Sequence, residues 1–306
     1  MKDDNLKYRI RRKIQFYAYK MTSPEFVSKL YFKIVLNQKL NLKKPSTFNE
    51  KLQWLKLYYC PNDPLVISCA DKYAVRQYIK DKNYKEYLND LLFVWNGVEE
   101  IDWEKLPYQF VLKCNHGCGY NIVCENKDKI NKKYIFNKVR AWMNEDFGKY
   151  NAEPHYDKMK KRIICEKFLG ENIIDYKFFC FHGKPEFMYV AQGFGKGLNE
   201  RITFFEMDGK KAEYRREDYE IMDDAVIPEK FEEMVELSKK LSSDFPFVRV
   251  DLFEVDGKIY FSELTFTPCG GLMKIYPPEY DKEWGKLIDL DLAKQLAELH
   301  KKIQIL

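Results

Sequence analysis

"VRVDLFEVDGKIYFSELTFTPCGG" (residues 248–271) contains two apolar strands around an Asp-Gly turn, and these strands carry Arg249, Asp251 and Glu263. Successive side chains of a strand point to opposite faces, so Arg249 and Asp251 share one face. Removing an unpaired carboxylate from water costs several kcal/mol. Either these charges satisfy one another, or a charged ligand lies between them.

The length of the turn decides whether the charged side chains of the two strands meet. A two-residue turn at Asp256–Gly257 leaves Asp251 and Glu263 on opposite faces of the hairpin. A three-residue loop that also includes Val255, with the glycine in the left-handed conformation, changes the parity and places Glu263 opposite Arg249. We predict the three-residue loop.

Such a shared face predicts a site for a divalent cation. Asp251 and Glu263 in a low-dielectric wall repel each other unless a cation lies between them. Mg²⁺ binds hard oxygens, typically one or two carboxylates together with nucleotide phosphates. Arg249 beside them would stabilise charge on a transferred phosphoryl group. The alternative is a structural ion pair of Arg249 with Glu263, which leaves Asp251 unpaired.

Two earlier stretches place lysines where an anion would bind. In "ADKYAVR", Lys72 lies at the start of a predicted helix, where free N–H groups favour an anion. In "QFVLKCNHGCGYN", Lys113 ends a predicted strand before Gly117 and Gly119, which allow backbone N–H groups to turn toward a phosphate. The alternatives are a capping Asp71 with a solvated lysine, and a tight turn with an incidental lysine.

"RIICEKFLGENIIDYKFF" joins two apolar strands through a polar break. Glu166 and Lys167 end the first strand, and Asp175 and Lys177 begin the second. A chain that stops pairing at such a joint exposes backbone donors and acceptors to an adenine edge. An ionised carboxylate only accepts hydrogen bonds, so Asp175 would hold ribose hydroxyls. A surface salt bridge is the alternative.

Helices and strands are mixed along the chain in an order that predicts an α+β fold with largely antiparallel sheets. Thr47 and Glu50 form a capping-box pattern at the start of one predicted helix. We expect three regions: a helix-rich region at 1–70, a unit with the lysines and glycine loop at 71–164, and a unit with the hinge and hairpin at 165–306.

Composition narrows the class of protein. Hydrophobic residues make up 45% and charged residues 32%, which indicates a folded chain. The net charge is only +5, because the lysines are spread along the chain among nearly as many acidic residues. We therefore expect no nucleic-acid partner. The chain has no run of membrane-span length and no signal-peptide-like stretch, and we expect it in the cytoplasm. The eight cysteines do not form paired CxxC motifs. Cys114, His116 and Cys118 lack the second ligand pair that a zinc site usually needs.

The segment "KYRIRRKIQFYAYKM" places Ile10, Ile14, Tyr17 and Met21 on one helical face beside several basic residues. Two interpretations stay open. The segment is a surface helix packed on the body of the protein, or it attaches weakly to an anionic membrane, at its inner face.

These stretches, in this order, resemble the ATP-grasp superfamily. "RVDLFEVDGKIYFSELTFTP" resembles its metal-binding hairpin, "FVLKCNHGCGYN" its phosphate lysine and glycine loop, and "CEKFLG…DYKF" its adenine hinge and ribose acid. The "DK" at 71–72 resembles its first phosphate lysine. More narrowly, "FNEKLQWLKLY", "ADKYAVRQYI" and "ELTFTPCGGL" resemble the ATP-grasp family associated with teichuronopeptide synthesis and capsular polysaccharide loci.

The resemblance implies two α+β subdomains that grip ATP, with Mg²⁺, and a role for each matching residue. The implied ATP-binding residues are Lys72, Lys113, Gly117, Gly119, Glu166, Lys167, Phe168, Leu169, Asp175 and Lys177. The implied metal ligands are Asp251, Glu263 and Thr265, and the implied catalytic residues are Arg249 and Lys113. Thr265 stands where many family members have Asn.

The activity implied by the resemblance is that of a carboxylate–amine ligase. The substrate carboxylate would come from a uronic-acid sugar or polymer, and an amino acid or small amine would take the acyl group. The alternatives are a glycosyltransferase, a phosphotransferase and a non-catalytic ATP-binding scaffold. A glycosyltransferase usually needs an Asp-x-Asp metal motif, and the nearby string is "DLD" at 289–291, which follows no predicted strand.

Overall fold

The computed structural model describes residues 6–171, 173–193 and 200–305 of the 306-residue chain. Its α-helices are α1 (Leu6–Met21), α2 (Pro24–Leu36), α3 (Phe48–Trp54), α4 (Pro64–Ala70), α5 (Val75–Asp81), α6 (Lys132–Met143), α7 (Phe147–Asn151), α8 (Phe231–Ser242), α9 (Glu279–Lys286) and α10 (Leu290–Ile305). Its strands are β1 (Leu91–Trp95), β2 (Phe110–Cys114), β3 (Asn121–Cys124), β4 (Ile163–Lys167), β5 (Asp175–Phe181), β6 (Lys184–Gln192), β7 (Arg201–Glu206), β8 (Arg215–Arg216), β9 (Glu220–Ile221), β10 (Phe247–Val255), β11 (Lys258–Thr265) and β12 (Ile275–Tyr276).

Two sheets organise these strands. A four-stranded antiparallel sheet has the order β1-β4-β2-β3, and a six-stranded sheet has the order β11-β10-β5-β6-β7-β9. Within the six-stranded sheet, β7 and β9 pair in parallel and the other neighbours pair antiparallel. Strands β8 and β12 form a separate short pair. Helices combined with these largely antiparallel sheets confirm the predicted α+β class.

Each main sheet has its own hydrophobic core. The four-stranded sheet packs against α6, whose buried residues are Ile135, Val139 and Trp142. The core of the six-stranded sheet includes a group of aromatic rings from the sheet and from α3 and α9. In that group, the ring centroid of Phe48 lies 5.3 Å from that of Phe247 and 5.7 Å from that of Trp284.

The start of α3 confirms the predicted capping box. The Thr47 side chain accepts a hydrogen bond from the Glu50 backbone N–H, and the Glu50 carboxylate accepts one from the Thr47 N–H. This reciprocal pair satisfies two N–H groups that the helix would otherwise leave without partners. The fixed start of α3 directs Phe48 into the six-stranded sheet core.

The turn of the β10–β11 hairpin differs from the prediction. Val255 pairs directly with Lys258, so the turn contains two residues, Asp256 and Gly257. Both have positive φ, 51° and 67°, which matches the twist of a two-residue hairpin turn. The predicted three-residue loop is therefore wrong.

A β-bulge later in the hairpin nevertheless restores the parity that the site needs. Leu252 pairs with Phe261 and Asp251 pairs with Glu263, so Ser262 is the extra residue on β11. One extra residue exchanges the faces of all side chains beyond it. Asp251 and Glu263 therefore lie side by side, although Arg249 pairs with Thr265 rather than with Glu263.

Helix α1 packs on the protein body, but not through its predicted apolar face. Ile10, Ile14, Tyr17 and Met21 are all exposed, Met21 by 82%. The opposite side of the helix faces α7, where the Arg12 guanidinium lies 4.2 Å from the ring centroid of Tyr150. The interpretation of a surface helix packed on the body therefore holds for α1, although its apolar row faces solvent.

The expected division into three regions stays a prediction. Its boundary between residues 164 and 165 falls inside β4, a strand of the four-stranded sheet. No helix in the described ranges combines the length and apolar character needed to cross a membrane.

Candidate functional site

Asp251 lies at the centre of the charged residues on the six-stranded sheet. Its side chain is fully buried on β10. The Arg249 side chain donates two hydrogen bonds to it, from Nε to Oδ1 and from Nη2 to Oδ2, each of 2.7 Å. The Lys177 ammonium on the neighbouring strand β5 donates a third, of 2.7 Å. Two cations thus compensate the buried carboxylate, which contradicts the expectation that an ion pair would leave Asp251 unpaired.

Glu263 is more accessible than Asp251, with 28% of its side chain exposed. Its Oε1 accepts a hydrogen bond of 3.2 Å from Thr265 Oγ1 and lies 3.7 Å from Arg249 Nη2, while Oε2 lies 3.4 Å from Lys72 Nζ. Burial tends to raise the pKa of Glu263, but Lys72, Lys177 and Arg249 more than offset it and lower the pKa to about 2. Glu263 is therefore ionised at neutral pH.

Lys72 connects the two sheets. Its Nζ donates a hydrogen bond of 2.7 Å to the carbonyl of Gly117, in the loop between β2 and β3, and also forms the ion pair with Glu263 on β11. Burial tends to lower the pKa of Lys72, but Glu263 and other neighbours raise it above its ordinary value. Asp71 caps the following turn by accepting from the backbone N–H groups of Tyr73 and Ala74. The capping alternative thus holds for Asp71, whereas Lys72 is only 16% exposed and is not a solvated lysine.

The glycines of this loop are required by its geometry. Gly119 has φ of +74°, a conformation that L side chains rarely adopt. A Cβ at Gly117 would lie 2.6 Å from the Tyr120 ring and 2.9 Å from the Phe147 ring. The Gly117 carbonyl in this closely packed loop accepts the hydrogen bond from Lys72 Nζ.

A second set of charges lies on the four-stranded sheet. Lys113 Nζ donates a hydrogen bond of 2.6 Å to Glu166 Oε2, across the paired strands β2 and β4. Arg76 Nη1 lies 3.4 Å from the other carboxylate oxygen of Glu166. We call these three residues the β4 cluster. The structure thus brings the predicted phosphate lysine together with the first residue of the predicted hinge.

The predicted hinge leaves β4 after Lys167, with Phe168 and Leu169 half-buried in irregular backbone. Asn89 Nδ2 donates a hydrogen bond of 2.8 Å to the Lys167 carbonyl, and Arg76 Nη2 donates one of 2.7 Å to the Asn89 carbonyl. These bonds hold the start of the hinge on α5.

Asp175 and Lys177, the predicted ribose residues, lie on one face of β5. The Lys177 ammonium donates a hydrogen bond of 3.1 Å to Asp175 and also contacts Asp251. Burial tends to lower the pKa of Lys177, but Asp175 and Asp251 raise it above its ordinary value, so the side chain stays protonated. Lys177 therefore links the predicted ribose acid to the hairpin.

These contacts define one balanced group of ionisable side chains, which we call the hairpin cluster. Its members are Lys72, Lys177, Arg249, Asp175, Asp251 and Glu263. Three cations face three carboxylates, so the cluster is neutral before any ligand arrives.

The fit of this cluster to Mg²⁺ rests on Glu263. In the part of the chain that the structure describes, no three acidic, His or Cys side chains are arranged to hold a metal ion. Mg²⁺ nevertheless needs only one or two carboxylates when nucleotide phosphates complete its shell, and Glu263 with the adjacent Thr265 hydroxyl suits that chemistry. Both oxygens of Asp251 are occupied by Arg249 and Lys177. In this arrangement Asp251 holds these two cations.

Two residues that contact the site are not predicted by the sequence patterns. Tyr189 on β6 accepts a hydrogen bond of 3.2 Å from Arg249 Nη1, but in the sequence it is one aromatic residue within an apolar strand. Arg76 contacts Glu166 from α5, 90 residues away in the chain. Such contacts depend on which strands become neighbours, which local patterns do not reveal.

Comparisons with known proteins come from a family model and from solved structures, since the chain matches no curated protein. D-alanine–D-alanine ligase from Bacillus anthracis, solved in complex with ATP, shares 16% identity with a TM-score of 0.42, over 78% of this chain and 70% of that one. The enzyme from Helicobacter pylori shares 17% identity with a TM-score of 0.42, over 83% and 69%. L-amino acid ligase from Bacillus licheniformis shares 14% identity with a TM-score of 0.40, over 68% and 45%.

The TM-scores of these structures are all below 0.5, so the assignment of this chain to a family rests on the family model. The model described as TupA-like ATPgrasp matches residues 50–289, more than three quarters of the chain. That range includes the hairpin cluster, the β4 cluster and the glycine loop. The expected fold and enzyme class, an ATP-grasp ligase, are thereby confirmed, and the chain belongs to the TupA-like ATP-grasp family.

Proposed function

We propose that this protein joins a carboxylate to an amine through an acyl phosphate, with release of ADP. The carboxylate would belong to a uronic-acid sugar or polymer of a cell-surface or capsular polysaccharide, and the amine to an amino acid or another small amine. The observation that supports this most is the position of Lys72, between the glycine loop of one sheet and Glu263 of the other. A triphosphate bound there would contact both sheets.

In the first step, a substrate carboxylate oxygen bonds to the γ-phosphorus of ATP, and the bond from that phosphorus to the β,γ-bridging oxygen breaks. Lys72 and Lys113 would bind the phosphates, and Arg249 would stabilise negative charge on the transferred group. Glu263, assisted by Thr265, would hold Mg²⁺. When bound, Mg²⁺ supplies charge neutralisation at the phosphate oxygens.

In the second step, the amine nitrogen bonds to the acyl carbon, inorganic phosphate leaves and the nitrogen loses a proton. This chemistry depends on positioning and charge neutralisation more than on a nucleophilic side chain. Cys118 is exposed in the glycine loop. Neither proposed step forms a bond to a side chain, so we assign Cys118 no catalytic role.

The proposed mode of nucleotide binding involves the remaining predicted residues. The backbone of Glu166, Lys167, Phe168 and Leu169 would contact the adenine, and Asp175, with Lys177, would hold the ribose. We also propose a cytoplasmic location, where ATP is available, at the inner face of the membrane.

Hydroxylamine tests the proposed intermediate directly. With ATP, Mg²⁺ and a panel of uronic acids, the protein should release ADP and convert one acid to its hydroxamate, because hydroxylamine traps acyl phosphates. Lys113→Ala and Asp251→Asn should abolish both products, whereas Cys118→Ala should retain them. ADP release without hydroxamate would instead indicate a phosphotransferase, and ADP release that persists in both variants would remove the chemistry from this site.

The glycosyltransferase alternative gains no support from the "DLD" string. Asp289 Oδ1 accepts hydrogen bonds from the backbone N–H groups of Asp291 and Leu292, at 2.9 and 3.1 Å. Asp291 forms an ion pair of 2.7 Å with Lys294. This pattern caps the start of α10, so both acidic side chains already have structural partners.

A further inference from the structure

The first two helices leave two rows of apolar side chains in contact with solvent. On α1 the row is Ile10, Ile14, Tyr17 and Met21. On α2 the row is Phe26, Leu30 and Ile34, with Val35 beside it. Eight of the 19 large apolar side chains that are exposed in the described residues lie in these two helices. We call these eight residues the N-terminal apolar face.

Both rows follow the repeat of a helix. Spacings of three and four residues place the α1 row on one side of its helix, and spacings of four residues do the same on α2. Only Thr22 and Ser23 separate the two helices, which contact each other and α7. A soluble surface helix normally presents its polar side to water. Here the apolar rows are 54% exposed at Phe26, 64% at Ile14 and 67% at Ile34.

The N-terminal part of the chain contains far more basic than acidic residues. Residues 1–44 contain 12 of the 52 Lys and Arg residues but only three of the 47 Asp and Glu residues. The first 44 residues therefore carry a net charge of +9, whereas residues 45–306 carry a net charge of −4. Lys13, Lys20 and Lys33 are exposed beside the apolar rows. Glu25, the one acidic residue in 6–44, is paired with Lys29 at 2.6 Å.

We propose that the N-terminal apolar face docks on an anionic lipid membrane. Exposed apolar rows flanked by lysines are the features of helices that lie in the membrane interface, where apolar side chains enter the acyl boundary and basic ones contact anionic headgroups. A second copy of this chain is a poorer occupant, because it would bring two strongly basic segments together. The net charge of residues 45–306 is negative, so charge favours binding of anionic lipid by the N-terminal residues over the rest of the chain.

This inference deepens the proposed location at the inner face of the membrane and rests on that part of the proposed function. It does not depend on ligase activity. Vesicle binding requires neither ATP nor substrate, so an experiment can contradict either proposal without contradicting the other.

Flotation with vesicles tests the proposal. The full chain should bind vesicles of phosphatidylglycerol and phosphatidylcholine at least about tenfold more tightly than vesicles of phosphatidylcholine alone, since each basic residue at an anionic surface contributes about fivefold. Ile14→Glu with Ile34→Glu, and separately Lys13→Glu with Lys20→Glu, should each lower binding at least about tenfold. Because these four side chains are exposed, the fold should survive, as circular dichroism would verify.

A matched control changes equally exposed apolar residues elsewhere in the chain. Val226→Glu with Ile303→Glu adds the same charge at positions that are 67% and 61% exposed, and vesicle binding should remain within about twofold of the wild type. No binding to anionic vesicles, or equal binding by all variants, would overturn the proposal. Self-association in sedimentation that Ile14→Glu with Ile34→Glu abolishes would assign the face to a second copy and also overturn it.

Discussion

Glu263→Gln should lower the rate of ADP release by about 100-fold or more, with little change in the folded structure. Loss of one preorganised charged group at a phosphoryl-transfer site commonly costs that much. The glutamine keeps the shape of the side chain but removes the charge that faces Lys72, Arg249 and the proposed Mg²⁺. The measurement is the steady-state rate of ADP release at saturating ATP.

The matched control for this variant is Glu254→Gln. Glu254 lies in the same hairpin, nearer to the turn, and pairs with Ile259. It should retain at least about half of the wild-type rate. Equal rates for the two variants would contradict the role of Glu263.

The pH dependence of stability provides a second readout of Glu263. Its pKa is lowered to about 2 in the folded protein, from an ordinary value of 4.5. A lowered carboxylate pKa contributes stability that is present above pH 4.5 and is lost as the pH falls through about 2. The difference in unfolding free energy between wild type and Glu263→Gln should therefore shrink over that range.

Arg249→Met should destabilise the protein by about 3–5 kcal/mol, because it leaves the fully buried Asp251 with Lys177 as its remaining cation. Urea-induced unfolding measures this change. Replacing both partners of a buried ion pair by apolar residues is often neutral. The double variant Arg249→Met with Asp251→Leu should therefore be more stable than the single variant. Neither variant should release ADP, because both lack Arg249.

An arginine that is more accessible than Arg249 serves as the control. Arg201 pairs with Asp224 at 3.4 Å, and its side chain is 36% exposed. Arg201→Met should cost less than about 1 kcal/mol, as exposed ion pairs generally do. A loss of that small size for Arg249→Met would show that Asp251 does not depend on the arginine.

The sequence predicts those features that depend on neighbouring residues. The Thr47–Glu50 capping box and the strands of the hairpin follow from patterns a few residues long, and both are confirmed. The prediction that Asp251 and Glu263 share a face also holds, but for a different reason. The predicted cause of the change of parity is a three-residue loop, whereas the Asp256–Gly257 dipeptide forms a two-residue turn and a bulge at Ser262 changes the parity.

The contacts that complete the site depend on which strands and helices pack together. Lys177 reaches Asp251 because β5 lies beside β10, and these residues are 74 positions apart in the chain. The side of α1 that faces the protein is likewise set by α7, where the Arg12 guanidinium lies over the Tyr150 ring. No periodic pattern within α1 predicts that an arginine would face the protein and Ile14 the solvent.

The most direct test of the account is a crystal structure with a non-hydrolysable ATP analogue and Mg²⁺. We predict the triphosphate between the two sheets, with Lys72 bonded to a terminal phosphate oxygen and a Glu263 oxygen roughly 2.0–2.1 Å from Mg²⁺. A nucleotide that binds elsewhere, with the Lys72–Glu263 pair unchanged, would contradict the account.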